Sequence, residues 1–352
     1  MLLALSLLLR SGSALNLALT LAWPRSEAWL TVLLDEVHIE QISVAVGART
    51  LPADLYRPSA PRGGLVLVHG LSRAGRRHPE LVRLARLLAR HGLLVLVPQF
   101  EGLAAFRLSG RAVAEIDAAL ATLAARASRV GVVGFSFGAG PALLAAAGRS
   151  DLVLTASFGG YADLRAVIRY LTTGLHEHGG ARYVQAPEEY NRWKLLALLT
   201  GFVQDARDAS LLDTIAQRKL ADPGVDTRRL EADIGGEGRA IMALVRNRSA
   251  VAVDALVSAL PASARSALEA LSPLSVVSRL PGRLVIAHGA GDISIPFTES
   301  VRIGEASRGR ARAVILESFE HTGPQPFWRS LGGRVRDGAR LVRLAHALLS
   351  AR

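Results

Sequence analysis

The sequence predicts an α/β fold: a mostly parallel, doubly wound sheet with helices on both faces, interrupted by a long helical insert. Three observations carry this. Short apolar runs at residues 65–69, 93–97 and 130–133, and a further strand at 152–158, are bounded by turn residues, as strands covered on both faces are. Segments of helical apolar spacing separate them, which calls for a sheet with helices on each side. The alternation stops near Tyr161 and resumes after about Ser275, so a helical stretch is inserted into the sheet domain.

Residues 2–9 are continuously apolar, Arg10 interrupts them, and residues 11–22 are mixed before Trp23-Pro24. No basic stretch precedes the apolar run, which makes a poor secretory signal. As a spanning helix the segment is marginal in length and carries an arginine near its middle. Three readings stand: an anchor or uncleaved signal, a helix docked on the domain, and a misassigned start. Of these the sequence favours membrane association through residues 1–22, and so a membrane-associated protein over a cytoplasmic one.

Residues 37–46 form a β-branched strand, Gly47-Ala48 turns it, and residues 51–56 run back. The breaker-rich stretch 58–64 leads into strand 65–69, which ends at His69-Gly70. Helix 79–90 places Leu81, Leu84 and Leu88 on one side with arginines between them. Strand 93–97 is stopped by Pro98, and helix 111–126 follows Ser109 and Gly110 as a cap region. Strand 130–133, helix 137–147 and strand 152–158 complete the first part. Between residues 161 and 275 no strand is evident; helices are expected at 186–203, 210–220, 227–247 and 250–271. The first of these opens with Pro187 and two glutamates. Strand 284–288, helix 298–308, strand 311–316 and helix 327–349 close the chain. The expected organisation is an apolar segment at 1–30, a sheet domain at 31–160 and 276–352, and the insert at 161–275. No repeat of solenoid period is present.

Composition removes several classes of chemistry. The 352 residues contain no cysteine, which excludes disulfides, thiolate catalysis and cysteine-ligated zinc. The net charge is +12, yet 40 of the 42 basic residues are arginines scattered along the chain with few aromatics among them. Nucleic-acid binding favours clustered basic patches, so no nucleic acid is expected as a partner. The charge reads as a solvated Arg-rich surface. Oligomeric state is not readable.

The segment "VVGFSFGAGPALLAAAG", 132–148, carries the chemistry. A G-x-S-x-G match alone is weak, but Gly134-Phe135-Ser136-Phe137-Gly138 stands between a buried strand and a small-residue helix. A sharp strand-to-helix turn strains the serine backbone and needs small neighbours at 134 and 138. The hydroxyl then projects at the carboxyl edge of the sheet. A dinucleotide fingerprint fails, because Gly138-Ala139-Gly140-Pro141 lacks the third glycine. A serine alcohol needs a base, and the base needs an orienting acid. Asp292 follows strand 284–288 within "HGAGDISIP", and His321 follows the next strand within "ESFEHTGPQP". Loops at strand carboxyl ends gather at one edge, and the order Ser, Asp, His suits this chemistry on an α/β sheet. Asp163, after strand 152–158, is the alternative acid. His69 and His288 end strands and are assigned to packing and backbone hydrogen bonding. His176 and His178 share no helical face and have no further ligand, so no metal site is read. Arg73, Arg76 and Arg77 read as a solvated helix start, with recognition of an anionic substrate group as the alternative.

On these residues the chain resembles the α/β-hydrolases. "LVLVHG" (65–70), "GFSFG" (134–138), "HGAGDISIP" (288–296) and "FEH" (319–321) carry the resemblance, which spans residues 37–352 apart from the insert. The insert resembles the helical cap of that superfamily. The resemblance implies a Ser136–His321–Asp292 triad and an oxyanion hole made by the backbone N–H groups of Leu71 and Phe137. It implies a serine hydrolase, foremost a carboxylesterase, acting on a small-molecule acyl substrate without metal or organic cofactor; thioesters, lactones and short peptides stay open. The other reading is a catalytically inactive binding or membrane-associated scaffold on the same fold.

Overall fold

The computed structural model describes residues 2–32, 34–317 and 327–352, except for the side chains of 2–11 and 327–335. Its frame is an eight-stranded sheet. β1 (Val37–Val46) and β2 (Arg49–Pro58) form an antiparallel hairpin at one edge. Then come β4 (Leu94–Pro98), β3 (Gly64–Val68), β5 (Val130–Phe135), β6 (Leu152–Phe158), β9 (Arg283–Gly289) and β10 (Val314–Leu316). From β4 to β10 every neighbouring pair is parallel; β2 alone runs against its neighbours.

β3 and β4 read as unbroken apolar runs because both of their faces are covered. In β3, Leu65 and Leu67 pack on one side of the sheet and Val66 and Val68 on the other, and all four are fully buried. The Leu65 side is covered by helices Pro79–Arg90 and Phe327–Leu349. The Val66 side is covered by Gly110–Ala124 and Ala139–Ala147 and is continuous with the insert. The mostly parallel, doubly wound sheet expected from the sequence is therefore the architecture observed.

The N-terminal helix Leu2–Ala22 lies against the last one. Ala14, Leu17, Ala18 and Ala22 are buried in the same cluster as Leu341, Leu344 and Leu348. Polar ties reinforce the packing: Arg83 donates to Glu27 Oε2 and to the Thr20 carbonyl, both at 2.7 Å, and Asn16 donates to the Leu30 carbonyl at 2.7 Å. Among the residues whose side chains are described, no helix is long and apolar enough to cross a membrane.

Two expectations for residues 161–275 need correction. A small antiparallel hairpin, β7 (Leu175–His178) with β8 (Ala181–Val184), stands where no strand was expected. Its turn is Gly179-Gly180, both at positive φ, which only glycine adopts without strain. The helices are also shorter than periodicity suggests. The 227–247 stretch divides into Arg228–Ala232 and Gly236–Arg246 around Gly235, and 250–271 divides into Val253–Ser258 and Ala262–Ala270 at Pro261.

Candidate active site

Ser136 stands at the junction of β5 and a short turn, Ser136–Gly138, that opens helix Ala139–Ala147. Its φ is +51°, one of three positive values among described non-glycine residues. Left-handed backbone costs an L-residue about 1–2 kcal/mol, so the surrounding packing must hold it there. The packing is visible in the glycines around it. A Cβ at Gly138 would overlap the His69 carbonyl oxygen, and one at Gly70 would stand 2.8 Å from Ser136 Cβ. Only hydrogen at these two positions lets the exit loop of β3 cross the elbow after β5.

His69 fixes that exit loop. Its Nε2 accepts the Phe100 N–H at 3.1 Å, so its proton sits on Nδ1, which donates to the Gly70 carbonyl at 2.9 Å. Burial holds the imidazole neutral and pushes its pKa down to about 4. The peptide is planar and trans, so a Gly70 carbonyl turned to His69 turns the Leu71 N–H the opposite way. The sequence assigned His69 to packing and backbone hydrogen bonding; the bond it makes orients the very peptide expected to supply an oxyanion donor. Phe137, the other expected donor, is buried against Tyr161 with ring centroids 5.6 Å apart.

Asp292 is 1% exposed, in the loop after β9. Its Oδ1 accepts the backbone N–H groups of Ser294 at 2.8 Å and Ile295 at 3.0 Å. Its Oδ2 lies 3.2 Å from His288 Nε2, which also donates to the Ile295 carbonyl at 2.9 Å. Nδ1 of His288 is hydrogen-bonded with the Ser300 hydroxyl at 2.7 Å. A second buried imidazole thus braces the carboxylate, a contact no spacing in the sequence reveals. Ser136, Asp292, Gly70 and Leu71 line one cavity of about 560 Å³, whose floor is the carboxyl edge of the sheet. His321 lies outside the described residues.

Asp163 is placed elsewhere. It caps helix Leu164–Thr173, accepting the Arg165 N–H at 2.8 Å, and is not among the residues lining that cavity. Its own N–H and that of Ala162 donate to Glu299 Oε2 at 2.8 and 3.0 Å. Glu299 is fully buried, and burial pushes its carboxyl up to about 7 against the pull of those amides and of Arg302. The three arginines after Leu71 separate. Arg76 is neither solvated nor turned to a ligand: its Nε is 3.0 Å from Asp54 Oδ2, and both side chains are about nine-tenths buried. Arg73 lines the cavity and donates to Gln217 Oε1 at 2.7 Å. Arg77 is exposed.

No protein-family model matches the sequence, and neither does any curated protein. Solved structures do match. An esterase of Pyrococcus furiosus superposes with a TM-score of 0.50 at 12% identity, covering 89% of this chain and 90% of that one. An acylaminoacyl peptidase of Pyrococcus horikoshii superposes with a TM-score of 0.51 at 13% identity, covering 92% of this chain and 43% of that one. A dienelactone hydrolase of Anabaena variabilis is similar at 15% identity and a TM-score of 0.47. The fold of this chain is the α/β-hydrolase fold.

Proposed function

We propose that the chain is a serine hydrolase that cleaves carboxylic esters, or related acyl compounds, through an acyl-enzyme. Ser136 attacks the carbonyl carbon. His321 takes the serine proton and returns it to the leaving group, and Asp292 orients the imidazole and stabilises its charged form. Water, deprotonated by the same histidine, then attacks the acyl-enzyme and frees the acid. The N–H groups of Leu71 and Phe137 receive the charge that develops on the carbonyl oxygen, an effect worth about 3–4 kcal/mol per donor. In this reading residues 161–275 act as a cap over the site, excluding water and shaping the acyl pocket.

One observation carries the proposal: a serine held at φ +51° between strand and helix shares a cavity with a buried, amide-bound carboxylate and the β3 exit loop. Backbone strain of this kind persists only where surrounding structure imposes it, and it concentrates at reactive positions. A fluorophosphonate probe tests it. Wild type is expected to be labelled and Ser136→Ala to stay unlabelled while keeping its thermal unfolding midpoint, since alanine takes the same backbone at the same cost. Folded wild type that resists labelling would establish the scaffold reading in place of this one.

A further inference from the structure

Lys194 is one of only two lysines beside 40 arginines. It lies on helix Glu189–Thr200 of the insert and lines the cavity that holds Ser136 and Asp292. Its neighbours Trp193, Leu195 and Leu196 are buried. Its ammonium is 4.6 Å from the centre of the Tyr190 ring, and Tyr190 lines the same cavity. Among the described residues no carboxylate comes within ion-pairing distance of it. Burial pulls its pKa below the usual lysine range, against the opposing fields of Glu188 and Asp292. An ammonium is a compact, strongly hydrated charge, and placing it in an apolar wall without a counter-ion is costly. An aromatic face recovers only part of that cost.

The other described charges around the cavity do not supply that anion. Arg83 is satisfied by Glu27 at 2.7 Å and lies 3.7 Å from Glu80, so Glu80 is taken up at that rim. Asp292 is engaged by two amides and faces His288. Arg73 is held by Gln217 with its guanidinium 5.9 Å over the Phe106 ring, again without a carboxylate in ion-pairing range among the described residues. Among the described residues, two cations on one cavity wall are thus left without an acid, and one of them, Lys194, is largely withdrawn from water.

We infer that the substrate carries, beyond its scissile acyl group, a second and anionic group, and that Lys194 binds it, with Arg73 as a second cation at the mouth. This rests on Ser136 being the nucleophile. A carboxylate serves as the probe anion. Lys194 is in this account a specificity-determining residue: it holds the end of the substrate that does not react.

The test compares mono-4-nitrophenyl glutarate with 4-nitrophenyl pentanoate, two acyl chains of equal length that differ in a terminal carboxylate. Wild type is expected to prefer the glutarate in kcat/KM by about 10- to 100-fold, the range of a charge-assisted hydrogen bond. Lys194→Met should bring the ratio close to one, and Lys194→Arg should retain most of it. Lys219→Met removes the same unit of charge outside the cavity and should leave the ratio unchanged, which separates local binding from attraction by the +12 net charge. Lys194→Gln replaces Lys194→Met if the latter fails to fold. A wild-type ratio of one or below, or an unchanged ratio in the neutral variants, overturns the inference. So does turnover of neither ester, and labelling then tells the two failures apart. Fluorophosphonate on Ser136 would leave the hydrolase standing and remove only the anionic substrate, whereas no label would remove both.

Discussion

Gly138→Ala adds a single methyl group, and the structure indicates where its effect would fall. The new Cβ would overlap the His69 carbonyl oxygen and stand 2.9 Å from the carbonyl carbon and 3.0 Å from the Val68 oxygen, where ordinary contact begins at 3.4 Å. All three are backbone atoms, so no side chain can swing aside. β3 is paired on both edges, by β4 and by β5, and cannot retreat. The strain therefore passes to residues 69–71, which must withdraw from the elbow by roughly 1 Å, the depth of the overlap with the His69 oxygen. Those residues carry the Leu71 amide, the oxyanion donor of the proposed mechanism, and such a donor moved out of reach costs on the order of 10²–10³ in kcat. That interaction exists only in the transition state, so kcat and kcat/KM should fall together while KM stays nearly constant. Overpacking itself should cost about 1–3 kcal/mol of stability, a shift of a few degrees in Tm. The assay is steady-state hydrolysis of a 4-nitrophenyl ester, with circular dichroism and thermal unfolding on the same samples. A folded Gly138→Ala protein whose kcat stays within about threefold of wild type would refute the apposition of elbow and exit loop.

Two further predictions concern buried charge. The folded pKa of Glu299, about 7, lies above its ordinary 4.5. The folded state then binds the extra proton, so this group's stabilisation is complete below pH 4.5 and is lost as pH rises through 7. Glu299→Gln should flatten that window, so that Tm measured from pH 4.5 to 8 declines in wild type relative to the variant; parallel curves would refute it. Arg76→Met leaves Asp54 buried without its partner and should cost about 3–5 kcal/mol in chemical denaturation. A loss under about 1 kcal/mol would show that the carboxylate finds water.

The sheet was legible because burial on both faces writes a strand as an unbroken apolar run. Residues 152–158 and helix 79–90 could be drawn with the bounds the structure gives them. The insert was less legible because helical periodicity does not register a break of one or two residues. Gly235 and Pro261 interrupt stretches whose apolar spacing continues on either side. The hairpin at Leu175–His178 had a local signal in Gly179-Gly180, but "LHEH" and "ARYV" lack the alternation that marks a strand. In the candidate site, motif and order marked Ser136 and Asp292, and the structure brings both to one cavity. The contacts of His69 and His288 could not, since each depends on an element brought in by folding: Phe100 from beyond β4, and Ser300 from helix Thr298–Ala306. Lys194 could not either, because a lone lysine on a helix reads as solvated until the helix is seen to line a cavity.

The docking of helix Leu2–Ala22 on helix Phe327–Leu349 has a consequence for biogenesis. Leu17, with Ala14, Ala18 and Ala22, leaves the ribosome roughly 300 residues before Leu341, Leu344 and Leu348 do, a delay of about half a minute at typical elongation rates. Throughout that interval this face of the nascent chain lacks the cover of its C-terminal partner, while Arg83 can already tie Thr20 and Glu27. The chain order therefore sets how long that face waits for its cover, and a reordered gene that encodes the two helices back to back would shorten the wait.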